Sequence, residues 1–242
     1  MPARDLWHGV ETFGSDLWYV VSSPARLEGR SVWLTAGTFA MGGVLFATDE
    51  STRDRLARNP GDLRMGARDV GDFFEPAALQ STTNLYLVGI TGLAYFTRQG
   101  WLHAPAKQLL YSQWISGLIR QITGVAIGRR RPSQEESAYV FDPGNGKSFP
   151  SGHSAVAMAM ATVLSHHVAH PVATVGFYGA AGSVLFQRMD SGEHWSSDVW
   201  MGGALGLLVA RSVIEAEESR RLTVAAGPGP GGEWELILSW SH

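Results

Sequence analysis

Cysteine is absent from the chain. That excludes disulfides, thiolate nucleophiles and cysteine-ligated zinc as devices for fold or catalysis. Charge is scarce as well: Asp, Glu, Lys and Arg make up 17% of the 242 residues, against about a quarter in ordinary soluble domains. The formal net charge is −3, so no basic field draws in nucleic acid, and no nucleic-acid partner is expected. The opening stretch, MPARDLWHGVETFGSD, lacks the apolar core of a signal peptide. Targeting is therefore expected to rest on the first hydrophobic segment, unless a signal was removed before it. What is abundant is glycine, 29 residues, and tryptophan, 9. Small residues beside low charge suit helices packed closely against one another, as in a membrane.

Hydropathy patterning divides the chain into a polar arm, 1–30, a helical body, 31–215, and a tail, 216–242. No charge falls between Arg30 and Asp49, and that run is just long enough to cross a bilayer. Residues 49–75 are dense in Arg and Asp and read as an exposed connection with helical turns. A second charge-free run covers 76–97, and a longer helical pattern over 106–128 is interrupted by Arg120. Gly128 and Pro132 stand where that helix should end. Residues 133–149 carry loop punctuation throughout. Three more helices follow at 153–168, 171–187 and 198–214, the last broken by Arg211. In the tail, a Gly/Pro turn separates two β-favouring runs, which predicts a small hairpin. The expected fold is all-α: a six-helix bundle with a C-terminal β-hairpin. A bundle buried in water gives similar segments, but span length favours the membrane, with the first, second and fifth segments the best spans.

Candidate catalytic groups fall into three clusters: GRRRP at 128–132, PSGH at 150–153, and QRMDSGEHWSSD at 187–198. The first ends one helix and the second begins the next. The chain then crosses away along 153–168 and returns along 171–187, where the third cluster follows. Two antiparallel crossings thus bring all three to one end of the bundle, whatever surrounds it. Arg129, Arg130, Arg131 and Arg188 offer forked donors that fit phosphate oxygens. Ser151, Gly152 and His153 open a helix, where free N–H groups and the dipole favour an anion. His153 and His194 can serve as acid, base or nucleophile near neutral pH. Asp198, four residues past His194, can orient its imidazole. No carboxylate cluster remains to hold Mg²⁺, so no metal and no cofactor is expected, and arginine does the charge neutralisation. Gly146–Lys147–Ser148 echoes the end of a phosphate-binding loop, but Phe141 stands where the first glycine belongs. His166, His167 and His170 read as polar loop residues at a helix end.

The three clusters, in this order and spacing, resemble the tripartite signature of the phosphatidic-acid-phosphatase type 2 superfamily: KxxxxxxRP, PSGH and SRxxxxxHxxxD. The resemblance covers 106–215. The second motif is intact. The third matches at Arg188, His194 and Asp198, with Gln187 in the serine position. The first matches at Arg131 and Pro132, with Gly124 in the lysine position. The resemblance implies that His194 attacks phosphorus and forms a phosphohistidine, held by Asp198. His153 would protonate the leaving oxygen and then activate water. Arg131, Arg188, Ser151 and the Gly152 amide would bind the phosphoryl oxygens. With the motif lysine gone, Arg129, Arg130 or Lys147 is expected to restore the charge.

The implied activity is metal-independent hydrolysis of a lipid phosphate monoester or a diphosphate, on a phospholipid or isoprenoid phosphate. The implied location is a bacterial cell membrane, with the active end facing the periplasm or exterior; a soluble periplasmic protein is the alternative. Two other functions fit the same anion site: a vanadate-dependent haloperoxidase, which is generally a longer protein, and a non-catalytic lipid-phosphate binder.

Overall fold

The computed structural model describes residues 2–58, 61–134, 137–228 and 234–240. Among them are eight α-helices: α1 (Pro2–Val21), α2 (Arg30–Arg58), α3 (Asp62–Phe74), α4 (Gln80–Phe96), α5 (Gly100–Ile127), α6 (Gly152–Val168), α7 (Pro171–Asp190) and α8 (Ser196–Arg221). A 3-10 turn, Glu75–Ala78, joins α3 to α4. Strands β1 (Leu222–Pro228) and β2 (Trp234–Trp240) pair antiparallel after α8.

The six expected segments are α2 and α4 to α8. The two additional helices lie where polar composition had suggested an arm and a connection. Helix α3 is the clearer case. It lays against α7 a face on which Gly71 meets the Ser183 carbonyl and Gln187, leaving no room for a Cβ. Its charged residues face outward or pair across the contact, as Arg64 and Arg68 do with Asp190. Helix α8 also runs beyond Glu215 to Arg221.

The core sits among α5, α6 and α8. Ile115, Val163, Val209, Ala210 and Val213 are almost wholly buried there, and Phe13 and Leu17 of α1 close it from one side. Helices α6 and α8 approach so closely because Gly202 and Gly206, one turn apart, present no side chain. A Cβ on either would collide with the carbonyl of Ser151 or of Ala155. This is the small-residue packing that low charge and high glycine content anticipated. A second cluster, Val156, Ala157, Ala161, Ala181 and Val184, joins α6 to α7.

Two helices among the described residues are long and apolar enough to cross a membrane, Arg30–Arg58 and Ser196–Arg220. The second of these was expected to fall short because of Arg211. Its apolar run from Val199 to Ala210 suffices although Asp198 and Arg211 bracket it. Helix α4, with 17 residues, is too short by itself, and α7 does not qualify either. Large apolar side chains stand exposed around the outside, among them Trp33, Phe39, Leu85, Phe96 and Val175.

Candidate active site

Helix ends build the site. Helix α5 stops at Gly128, whose left-handed backbone (φ 63°) places its N–H on the Gly124 carbonyl. A side chain there would strike the Asp142 carbonyl. The chain leaves α5 as an extended strip, bridged to the following loop by Arg130 N–H to Val140 O (3.0 Å) and Ser148 N–H to Arg129 O (3.0 Å). That strip returns the chain to Ser151, which caps α6: its hydroxyl oxygen accepts from the Ser154 amide and hydroxyl. On the other side, α7 ends at Asp190. A tight turn through Gly192 (φ 69°) brings the His194 N–H back to the Arg188 carbonyl at 3.1 Å. Two backbone bonds tie the three clusters together: Ser133 N–H to Gly192 O and Ser151 N–H to Asp198 O, each 3.0 Å. The clusters therefore meet at one end of the bundle, as helix counting requires.

His194 is 5% exposed. Its Nδ1 lies 2.7 Å from the Ser148 carbonyl oxygen. A carbonyl only accepts, so Nδ1 carries the hydrogen, and the lone pair resides on Nε2. Among the described residues nothing bonds Nε2. Burial, and next the Arg131 charge, push the His194 pKa from 6.5 down to about 3, against the Ser148 bond, which favours the protonated ring. The imidazole is thus neutral, with one fixed tautomer and one open nitrogen. Those are the properties a nitrogen nucleophile needs.

Asp198 was expected to hold His194 directly. It lies one step back instead. Its carboxylate, 0% exposed, accepts from Arg129 Nη1 (2.7 Å), the Trp195 amide (3.0 Å) and the Ser148 hydroxyl. Asp198 thereby fixes the residue whose carbonyl orients His194 and the residue that follows His194 in the chain.

Arg129 was expected to bind phosphate. Its guanidinium is enclosed, bonding Asp49 (2.8 Å), Asp198, Ser197 (2.7 Å) and the Ala138 carbonyl. No donor is left facing the site, and Arg129 serves as counter-ion to the two buried aspartates. Asp49, inside α2 where its charge-free run ends, also accepts from the Ser197 amide (2.9 Å) and from both serine hydroxyls, Ser196 and Ser197 (2.6 Å each). It caps α8 across the interface, where a carboxylate complements the helix dipole.

The remaining cations do line the open part of the site. Arg188 Nη1 lies 3.4 Å from His153 Nε2, and Arg131 pairs with Glu193. Arg188 Nε is buried with no hydrogen-bond partner among the described residues. Glu75, from the turn before α4, sits 3.1 Å from Arg188 and 3.2 Å from His153 Nε2. Two carboxylates, Glu75 and Glu193, therefore occupy the donors a phosphate would use. Gln187, in the motif's serine position, turns away to Asp72 at 2.7 Å. Arg130 pairs with Asp142, and Lys147 is exposed on the loop. Sequence reasoning did not single out Asp49 or Glu75, and it met Ser148 only in the rejected phosphate-loop echo. No group of three or more His, Asp or Glu residues suited to a metal occurs among the described residues.

Residues 105–221 match the profile of the PAP2 superfamily. Over 64 residues the chain is 41% identical to a lipid A 1-phosphatase of Porphyromonas gingivalis, a stretch that is 26% of this chain but only 14% of that protein's length. The fold is similar to that of a transmembrane PAP2-type phosphatidylglycerolphosphate phosphatase from Bacillus subtilis, with TM-score 0.55 and 21% identity over 76% of this chain and 96% of that one. It is also similar to Aquifex aeolicus LpxE, with TM-score 0.53 and 19% identity over 68% and 93% of the two chains. The matched segment, just under half of the chain, contains all three clusters and the helices that gather them, and over 105–221 the chain is similar to the PAP2 superfamily.

Proposed function

We propose that the protein is a membrane phosphatase that hydrolyses a lipid phosphate monoester or diphosphate without a metal ion, through a phosphohistidine on His194. The observation that carries this reading is the state of His194: Nδ1–H given to the Ser148 carbonyl, and Nε2 unprotonated and unbonded beside Arg131, Arg188 and His153. Nε2 attacks phosphorus, and the bond to the leaving oxygen breaks as protonated His153 gives that oxygen its proton. Neutral His153 then takes a proton from water, whose oxygen attacks the phosphohistidine. Inorganic phosphate leaves and His194 is restored. Arg131 and Arg188 neutralise charge on the phosphoryl oxygens, which is the work a divalent cation does elsewhere. The Gly152 amide, at the start of α6, adds a donor.

A lipid substrate is supported by the belt of exposed apolar side chains and by the two helices fit to span a bilayer. It is supported too by relatives whose names specify lipid A and phosphatidylglycerolphosphate. Phosphatidic acid, lysophosphatidic acid, a prenyl diphosphate and a lipid A phosphate share the required group. We assign the active end to the periplasmic or outer face, since Arg98 lies in the short connection between α4 and α5 at the other end. The experiment is rapid acid-free quenching during turnover, followed by mass spectrometry of the His194 peptide. Phosphate on His194 supports the mechanism, and phosphate on no histidine during steady turnover overturns it.

A further inference from the structure

Gly124 leaves the phosphate site one cation short, and the three residues expected to replace the motif lysine are engaged elsewhere or face solvent. The structure points to another. Arg120 lies one helical turn before Gly124, on the same face of α5. Its side chain runs along the start of α6: a Cβ placed on Gly152 would be 3.0 Å from Arg120 Cδ and 3.2 Å from Arg120 Nε. Arg120 lines a narrow cleft with Gln80, Ser116, Gly117, Gly152 and Ala155, none of them charged. Its Nε is buried without a hydrogen-bond partner, and its guanidinium has no ion pair among the described residues. Arg129, Arg130, Arg131 and Arg188 each have a carboxylate.

A guanidinium partly withdrawn from water, its Nε buried, with no counter-charge is costly, and the cost falls when an anion arrives. The α6 N-terminus beside it is where an anion is favoured. Gly124 itself faces the Phe149 carbonyl oxygen, which would lie 3.2 Å from an added Cβ. The absent side chain thus lets the strip before Pro150 settle against α5. Glycine at 124 and arginine at 120 fit together: one admits the strip, the other restores the charge from a turn away.

We propose that Arg120 is a phosphate-binding residue of this protein, in place of the lysine its first motif lacks. The proposal rests on the reading of the site as a phosphate site. Its test is binding of inorganic phosphate to the intact, detergent-solubilised protein by calorimetry, run beside phosphate release from phosphatidic acid. Arg120→Gln is expected to weaken phosphate binding about tenfold or more. Arg120→Lys, which keeps the charge and leaves Gly124 in place, is expected to recover most of that loss. A purely structural arginine would lower thermal stability in Arg120→Gln and leave phosphate affinity alone.

A second measurement needs no variant. Phosphate should protect Arg120 of the wild type from phenylglyoxal, read by mass spectrometry. Phosphate affinity within twofold of wild type in Arg120→Gln, or no protection of Arg120, overturns the proposal. Phosphate binding that depends on Arg120, with no release from any lipid phosphate, overturns the phosphatase reading and leaves this proposal standing. No phosphate binding by the wild type overturns both.

Discussion

Ser148 serves His194 and Asp198 at once: its carbonyl takes the Nδ1 hydrogen of His194 at 2.7 Å, and its hydroxyl donates to the Asp198 carboxylate. The aspartate therefore acts on His194 through a backbone group. Asp198→Asn keeps the shape but removes the charge facing Arg129. We expect activity to fall by about 100-fold or more, by analogy with orienting aspartates elsewhere, with KM little changed. Asp198→Ala also leaves Arg129 with Asp49 as its remaining carboxylate. That should cost roughly 3 kcal/mol of stability, the low end for a broken buried pair. Steady-state kinetics and thermal unfolding in detergent check the two effects separately.

The pH dependence of stability has a definite sign. His194 titrates near 3 when folded and near 6.5 when unfolded. The unfolded chain therefore binds the proton first as pH falls. The contribution of His194 is fully present above about 6.5 and is lost progressively toward pH 3, amounting to a few kcal/mol. His194→Gln, which cannot titrate, should flatten the wild-type decline in melting temperature across that window. Equal slopes in the two proteins would mean that His194 is not buried in its neutral form.

Glu75 holds the Arg188 and His153 donors that a phosphoryl group would take. Phosphate must displace it. Glu75→Gln removes the competing charge, and the dissociation constant for inorganic phosphate should fall severalfold. Binding isotherms for wild type and variant give the comparison, and unchanged affinity would mean that Glu75 stays in place when the anion binds.

Gly202 and Gly206 set the distance between α6 and α8. Gly206→Ala forces a methyl into the Ala155 carbonyl and should destabilise by about 1–3 kcal/mol. Gly202→Ala pushes on the Ser151 backbone instead, so it should lower phosphate affinity as well as melting temperature. Thermal unfolding with and without phosphate separates the two.

The gathering of the clusters was legible because it depends only on how many helices lie between them. His194, His153, Arg131 and Arg188 stood out as candidates because few residue types offer such chemistry, and the fold brings them to one end of the bundle. Ser148 did not stand out, since the group it offers His194 is a carbonyl that every residue carries. Asp49 and Glu75 lie in a stretch whose charge density reads as solvent-facing. Both instead turn inward, Asp49 to the Arg129 charge and the open N-terminus of α8, Glu75 to Arg188. A warning was available: Asp49 and Glu50 close a charge-free run, and acids at the end of such a run sit beside whatever the neighbouring helix ends present. Arg129 was misjudged for the complementary reason. Three consecutive arginines look equivalent in sequence, but extended backbone turns alternate side chains to opposite sides, and Arg129 points into the interior.

The central claim is metal-free chemistry on His194, and phosphate release from a panel of lipid phosphates in EDTA tests it most directly, with wild type compared against His194→Ala. The account predicts release by the wild type undiminished by EDTA and abolished in the variant. Release that stops in EDTA, or that survives the loss of His194, would contradict it.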